Sequence, residues 1–187
     1  MDAAMRIIAL TFALLLAGCG RSSFHMTDIS GAMPDLDFHM TRAGDGAAGT
    51  GAEYKGKVVV LYFGYTNCPD ICPATLANLT RMLDKVKSPD VRVLFVSVDP
   101  ARDSATSLKT YTAAFSPQIE GLRGDADALA GFARRYRVAY SIDPGPPYAV
   151  MHSNAVFFFD RTGKARLVTT DTTDTSAMAQ DVQKLLN

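Results

Sequence analysis

A three-layer α/β sandwich, with a central mixed β-sheet flanked by helices, is the fold this sequence predicts. Three observations predict it. Residues 58–63 (Val-Val-Val-Leu-Tyr-Phe) are a continuous apolar run and residues 91–98 a largely apolar one, broken at Arg92 and Ser97, the pattern of strands buried on both faces. Segments with helical periodicity follow each run, and strands that alternate with helices build layered sheets. A strand pair joined by a tight turn and a last helix then close the chain. With 187 residues, 48% of them hydrophobic, the chain is long enough for one packed domain and short for two.

Taken in order, residues 1–18 hold an apolar stretch, Ile7 to Ala17, that follows Arg6 and is too short to span a bilayer. It reads as a signal peptide. Residues 19–33 carry Ser, Thr, Gly and Asp without periodicity and read as a membrane tether, leaving residues 34–187 as the folded domain. Residues 36–41 read as a short strand and residues 43–51, rich in glycine, as a loop. After the strand at 58–63, residues 74–86 place Leu76, Leu79, Leu83 and Val86 on one helical face. Residues 104–115 read as a helix with Asp103 as its N-cap, and residues 125–136 as another that turns Leu129, Phe132 and Ala133 inward. Residues 155–159 and 166–170 read as a hairpin about Arg161-Thr162-Gly163-Lys164, and residues 175–186 as the closing helix.

Nineteen Lys and Arg balance nineteen Asp and Glu. That neutrality argues against a nucleic-acid partner, which selects a basic surface. Leu16-Ala17-Gly18-Cys19 resembles a bacterial lipoprotein cleavage site, which implies lipidation of Cys19 and a lipid anchor holding the domain on the extracytoplasmic, or periplasmic, face of a membrane. Assigning Cys19 to lipid leaves Cys68 and Cys72 as the two free thiols of an exported chain.

The first buried strand runs directly into Gly64-Tyr65-Thr66-Asn67-Cys68-Pro69-Asp70-Ile71-Cys72-Pro73, after which a helix begins. A strand-to-helix turn at the carboxyl edge of a sheet is where α/β folds place ligands, and the helix start favours thiolate over thiol. Residues four apart on a helix share one face, so both sulfurs can turn to a common point. They can share a metal ion or join in a disulfide, and the spacing does not choose between the two. Nor does it say whether Pro69 or Pro73 marks the helix start.

The run from Phe63 to Pro73, followed by Val98-Asp99-Pro100-Ala101-Arg102-Asp103 and then by His152-Ser153 ahead of a strand, resembles the Sco/SenC family over roughly residues 33–187. The resemblance implies a thioredoxin-like fold and copper held by Cys68, Cys72 and His152. It further implies a metallochaperone that delivers copper to the dinuclear copper A site of cytochrome c oxidase, and leaves open whether the chain is also an enzyme, a thiol–disulfide reductase. The implied partners are the copper A subunit and another periplasmic copper carrier. Two thiolates and an imidazole suit Cu(I) and also accept Cu(II). The chain departs from the family pattern at Asn67, where His is common, and at Met151, where Asp is frequent.

A second reading makes Cys68 and Cys72 the redox-active pair of a thiol–disulfide oxidoreductase that keeps partner cysteines reduced. Against it, such enzymes usually carry a two-residue spacer and a cis-proline beside the site, whereas here Met151-His152 precede the last strand pair and Pro147 is the nearest proline. A peroxidase is disfavoured because the Pro-x-x-x-Thr-x-x-Cys loop is missing from the sequence. His25, Met26, Met33, His39 and Met40 form a loose His/Met set better read as packing residues than as copper ligands. Asp99 and Asp103 read as capping and turn residues, and Asp70 as a solvated turn residue.

Overall fold

The computed structural model describes residues 23–187. The expected signal peptide and Cys19 lie outside them. In chain order the described strands are β1 (Thr27–Asp28), β2 (His39–Arg42), β3 (Ala48–Thr50), β4 (Val58–Gly64), β5 (Val91–Ser97), β6 (Ile119–Arg123), β7 (Tyr140–Asp143), β8 (Ala149–His152), β9 (Val156–Phe159) and β10 (Ala165–Thr169). The helices are α1 (Ile71–Val86), α2 (Ala105–Ala113), α3 (Ala126–Arg135) and α4 (Thr175–Leu186).

The main sheet has the order β1-β10-β9-β4-β5-β6-β2-β3, with β4, β5 and β6 parallel and the remaining neighbours antiparallel. Every residue of β4 is buried, as its unbroken apolar run requires of a strand covered on both sides. Tyr62 of β4 and Phe95 of β5 are register partners on one face, where Tyr111 of α2 stacks on Phe95. Phe63, one residue on, points to the other face and meets Phe132 of α3. Helices α1 and α4 pack against each other. The result is a thioredoxin-like sandwich, with the carboxyl end of β4 opening directly into the cysteine loop.

Several elements differ from the sequence reading. Residues 48–50, expected in a loop, form β3, which pairs with β2 across a turn where Gly46 takes φ +73°. Strand β6 escaped notice because Glu120 and Gly121 interrupt its apolar pattern. The hairpin of β7 and β8, a separate two-stranded sheet, escaped for a similar reason: its residues alternate only between exposed and half-buried. The Pro146–Pro147 peptide in its turn is cis.

The expected tether is also different. From Phe24 onward it lies on the domain, with Met26 buried and β1 pairing with β10. The carboxylate of Asp181 on α4, fully buried, accepts the backbone N–H groups of His25 at 2.7 Å and Met26 at 2.9 Å and pairs with Lys184 at 3.0 Å. Such fastening through backbone donors needs no hydrophobic periodicity, which is why residues 24–33 read as unstructured.

Candidate metal centre

Strand β4 delivers the chain to the site and α1 takes it away. Helix α1 starts at Ile71, which puts Cys72 and Pro73 in its first turn and Pro69 in the turn before it. Asp70 occupies the N-cap position, yet its side chain caps nothing. The sulfur of Cys68 takes that role, accepting the backbone N–H of Cys72 at 3.3 Å. Cys68 is half-buried and Cys72 fully buried, and both are free thiols.

The burial of Cys72 demands room. A Cβ on Gly64 would stand 2.9 Å from the Cys72 sulfur and 2.6 Å from Phe95 Cε2, so only glycine lets α1 seat its sulfur against the end of β4. Tyr62 of β4 donates its hydroxyl to Cys72 Sγ at 3.7 Å.

His152, the last residue of β8, completes the group. Its Nε2 lies 3.3 Å from Cys72 Sγ, and the three donor atoms of Cys68, Cys72 and His152 all fall within 4.8 Å of one another. That span is about what two bonds of roughly 2.3 Å, laid nearly in line, would cover. Nδ1 of His152 donates to the carbonyl of its neighbour Ser153 at 2.9 Å, which leaves the Nε2 lone pair facing the sulfurs. The ring of Tyr65 stands edge-on to the imidazole at 5.8 Å. Among the described residues no other group of His, Cys, Asp and Glu converges in this way.

The electrostatics separate the two thiols. Burial pushes Cys72 up to about 12. Burial also raises Cys68, but the backbone N–H groups of Cys72 and Asp70 outweigh it and hold this thiol below its ordinary value. Burial lowers His152, against the opposing bond to Ser153, so the imidazole stays neutral and able to bind a metal.

The SCO1/SenC family model matches residues 31–187. The chain belongs to the SCO1/SenC family. A curated relative, the mitochondrial "Protein SCO2 homolog" of Bos taurus, is 39% identical over 119 residues, which are 60% of this chain and 45% of that protein. The chain thus spans less than half the length of this relative. The crystal structure of Arabidopsis thaliana ScoI with copper bound superposes with a TM-score of 0.75 at 32% identity, covering 81% of this chain and 97% of that one. A further structure, described as identifying a disulfide switch in BsSco, a member of the Sco family of cytochrome c oxidase assembly proteins, has a TM-score of 0.66 at 25% identity and covers 81% and 94% respectively.

Other residues of this SCO1/SenC chain depart from their expected roles. Asp103 does not cap α2; Ser104 does, accepting the N–H of Ser107. Asp103 is instead fully buried and accepts from Thr66 N at 3.1 Å, Thr66 Oγ1 at 2.5 Å and Ser97 Oγ at 2.6 Å, which clamps the cysteine loop two residues before Cys68. The His/Met residues stay away from the sulfurs. His25 Nε2 bonds Gln180, Met26 and Met40 are buried in the core, Met33 packs on it, and His39 is exposed on β2. Gly64 and Tyr65 belong to the motif that runs from Phe63 to Pro73 and Tyr62 to the buried strand before it, but nothing local in the sequence assigns them contacts with Cys72 and His152.

Proposed function

We propose that this chain is a copper metallochaperone serving cytochrome c oxidase assembly, with Cys68, Cys72 and His152 as the ligands. The observation that carries the reading is the convergence of two sulfurs and one imidazole nitrogen within 4.8 Å, in a chain of the SCO1/SenC family whose relative from Arabidopsis thaliana holds copper. Soft thiolates favour Cu(I), and the neutral imidazole lets the same set accept Cu(II). Cys68 and His152 line an open cleft of about 440 Å³, so the cation is reachable by the ligands of a partner. The partner on this reading is the copper A subunit of the oxidase, with a periplasmic copper carrier upstream. Titration of the reduced domain with Cu(I) tests the assignment. One tight site is expected, weakened strongly in Cys68→Ala, Cys72→Ala and His152→Ala; unchanged binding in the histidine variant would overturn the three-ligand set.

We further propose that residues 1–18 are removed as a signal peptide and that Cys19 carries the lipid that holds the domain at the extracytoplasmic face of a membrane. Among the described residues no helix is long and apolar enough to cross a membrane. Mass spectrometry of the mature N-terminus checks this, with acyl chains on Cys19 expected and lost in Cys19→Ser.

A second reading, thiol–disulfide exchange, has one observation in its favour. Cys68 is the accessible, acidified thiol and Cys72 the buried one, the asymmetry that suits an attacking and a resolving cysteine. Metal-independent turnover of a disulfide substrate that survives His152→Ala would favour it over copper delivery.

A further inference from the structure

His152 sits on a hairpin that pairs with no strand of the main sheet, so no backbone ladder sets its distance from the cysteines. The chain re-enters the main sheet at Val156, four residues after His152, and Tyr140 and Val150 pack on the core, while further side-chain ties fasten the rest of the hairpin. One set of these ties lies outside the ligand set. Tyr148, just ahead of β8, donates its hydroxyl to Asp99 Oδ1 at 2.8 Å, and the guanidinium of Arg102 stacks over the Tyr148 ring at 3.9 Å. Asp99 is fully buried and forms an ion pair with Arg102. The same guanidinium lies 5.7 Å from the ring of Tyr65, which is the ring that stands edge-on to His152.

One turn, residues 99–103, therefore grips both halves of the site. Asp103 holds the cysteine loop through Thr66, while Asp99 and Arg102 hold the histidine hairpin through Tyr148. We propose that Arg102, braced by Asp99 and stacked on Tyr148, is a positioning residue that keeps His152 in register with Cys68 and Cys72 before the metal arrives. A guanidinium suits the task better than an ammonium, because its plane can stack on one ring while its edge meets a carboxylate. The inference rests on the copper-binding reading above and adds to it the residues that pre-form the third ligand.

The test is a double-mutant cycle read by Cu(I) competition against bicinchoninate. In the native background Arg102→Ala is expected to weaken Cu(I) binding about tenfold, the low end of what losing a partner that orients a metal-ligating residue costs. In the His152→Ala background the same substitution is expected to change affinity by less than about twofold, because the residue it positions is gone. Hydrogen exchange of residues 140–152 in the metal-free protein should quicken in Arg102→Ala. Tyr148→Ala should behave alike, and Tyr148→Phe, which keeps the ring, should retain most of the affinity. Should Arg102→Ala fail to fold, judged by circular dichroism, Tyr148→Ala carries the cycle. An equal loss in both backgrounds, or no loss in either, overturns the positioning role. If His152→Ala alone leaves binding unchanged, the copper-site reading itself fails, an outcome distinct from the other two.

Discussion

Cys72 and His152, 80 residues apart in the chain, meet at 3.3 Å through Sγ and Nε2. The thiol is the natural donor in this contact, because Nδ1–H is committed to the Ser153 carbonyl and the lone pair of Nε2 faces the sulfur. Copper would replace that proton.

Copper binding should for this reason depend on pH with a calculable sign. Cys72, raised to about 12, enters the reaction protonated and must release its proton. Cys68, held below its ordinary value by the N–H groups it accepts, gives up its proton more readily than Cys72, and His152, lowered by burial, is neutral above its own ordinary value. Affinity should rise with pH, with roughly one proton released per metal above the Cys68 pKa and roughly two below it. Calorimetry in buffers of different ionisation enthalpy counts these protons; a pH-independent affinity would contradict the assignment.

Gly64→Ala should be costly despite adding a single methyl. The new Cβ would meet Phe95 Cε2 at 2.6 Å and Cys72 Sγ at 2.9 Å, and both neighbours are fully buried. Overpacking of this kind costs about 1–3 kcal/mol, and relief by displacing Cys72 would also weaken copper binding. Urea unfolding and Cu(I) titration of the same variant measure the two effects.

Asp103→Ala leaves the Thr66 backbone N–H and hydroxyl and the Ser97 hydroxyl without their acceptor. The fully buried Ser97 hydroxyl so stranded costs about 1–3 kcal/mol, and the half-buried groups of Thr66, which water can reach, cost less. Asp103→Asn, which keeps a carbonyl oxygen to accept from part of this set, should recover some of the loss. Denaturant midpoints of the two variants give the comparison, and equal midpoints would argue against the clamp.

Asp181→Ala should free the N-terminal segment. It removes the acceptor for His25 N and Met26 N and breaks the ion pair with Lys184, which keeps its bond to the Ser23 carbonyl. Limited proteolysis should then cut between residues 23 and 35 faster than in the parent chain, and a stability loss of about 2 kcal/mol is expected from the broken charge-assisted bonds.

Elements whose signal is local are legible from the residues alone. The unbroken apolar run of β4 and the periodicity of α4, found at Thr175–Leu186 where the reading placed it, depend only on neighbours along the chain. Family membership was likewise legible, because three motifs in order carry it. The hairpin of β7 and β8 was not, since its residues face solvent about as much as protein and leave no pattern. Cys68 and Cys72 were legible as a pair but not in their division of labour. Which thiol is acidified follows from the N–H groups of α1 and from the burial that Gly64 permits. Asp103 read as a helix cap because capping is a local habit of Asp; its partners, Thr66 and Ser97, became available only when β4 and β5 were laid side by side. Spacing along the chain constrains what residues four apart can do, whereas the third donor and the carboxylates that hold the site arrive from distant segments, and only packing of the sheet and helices brings them to one place.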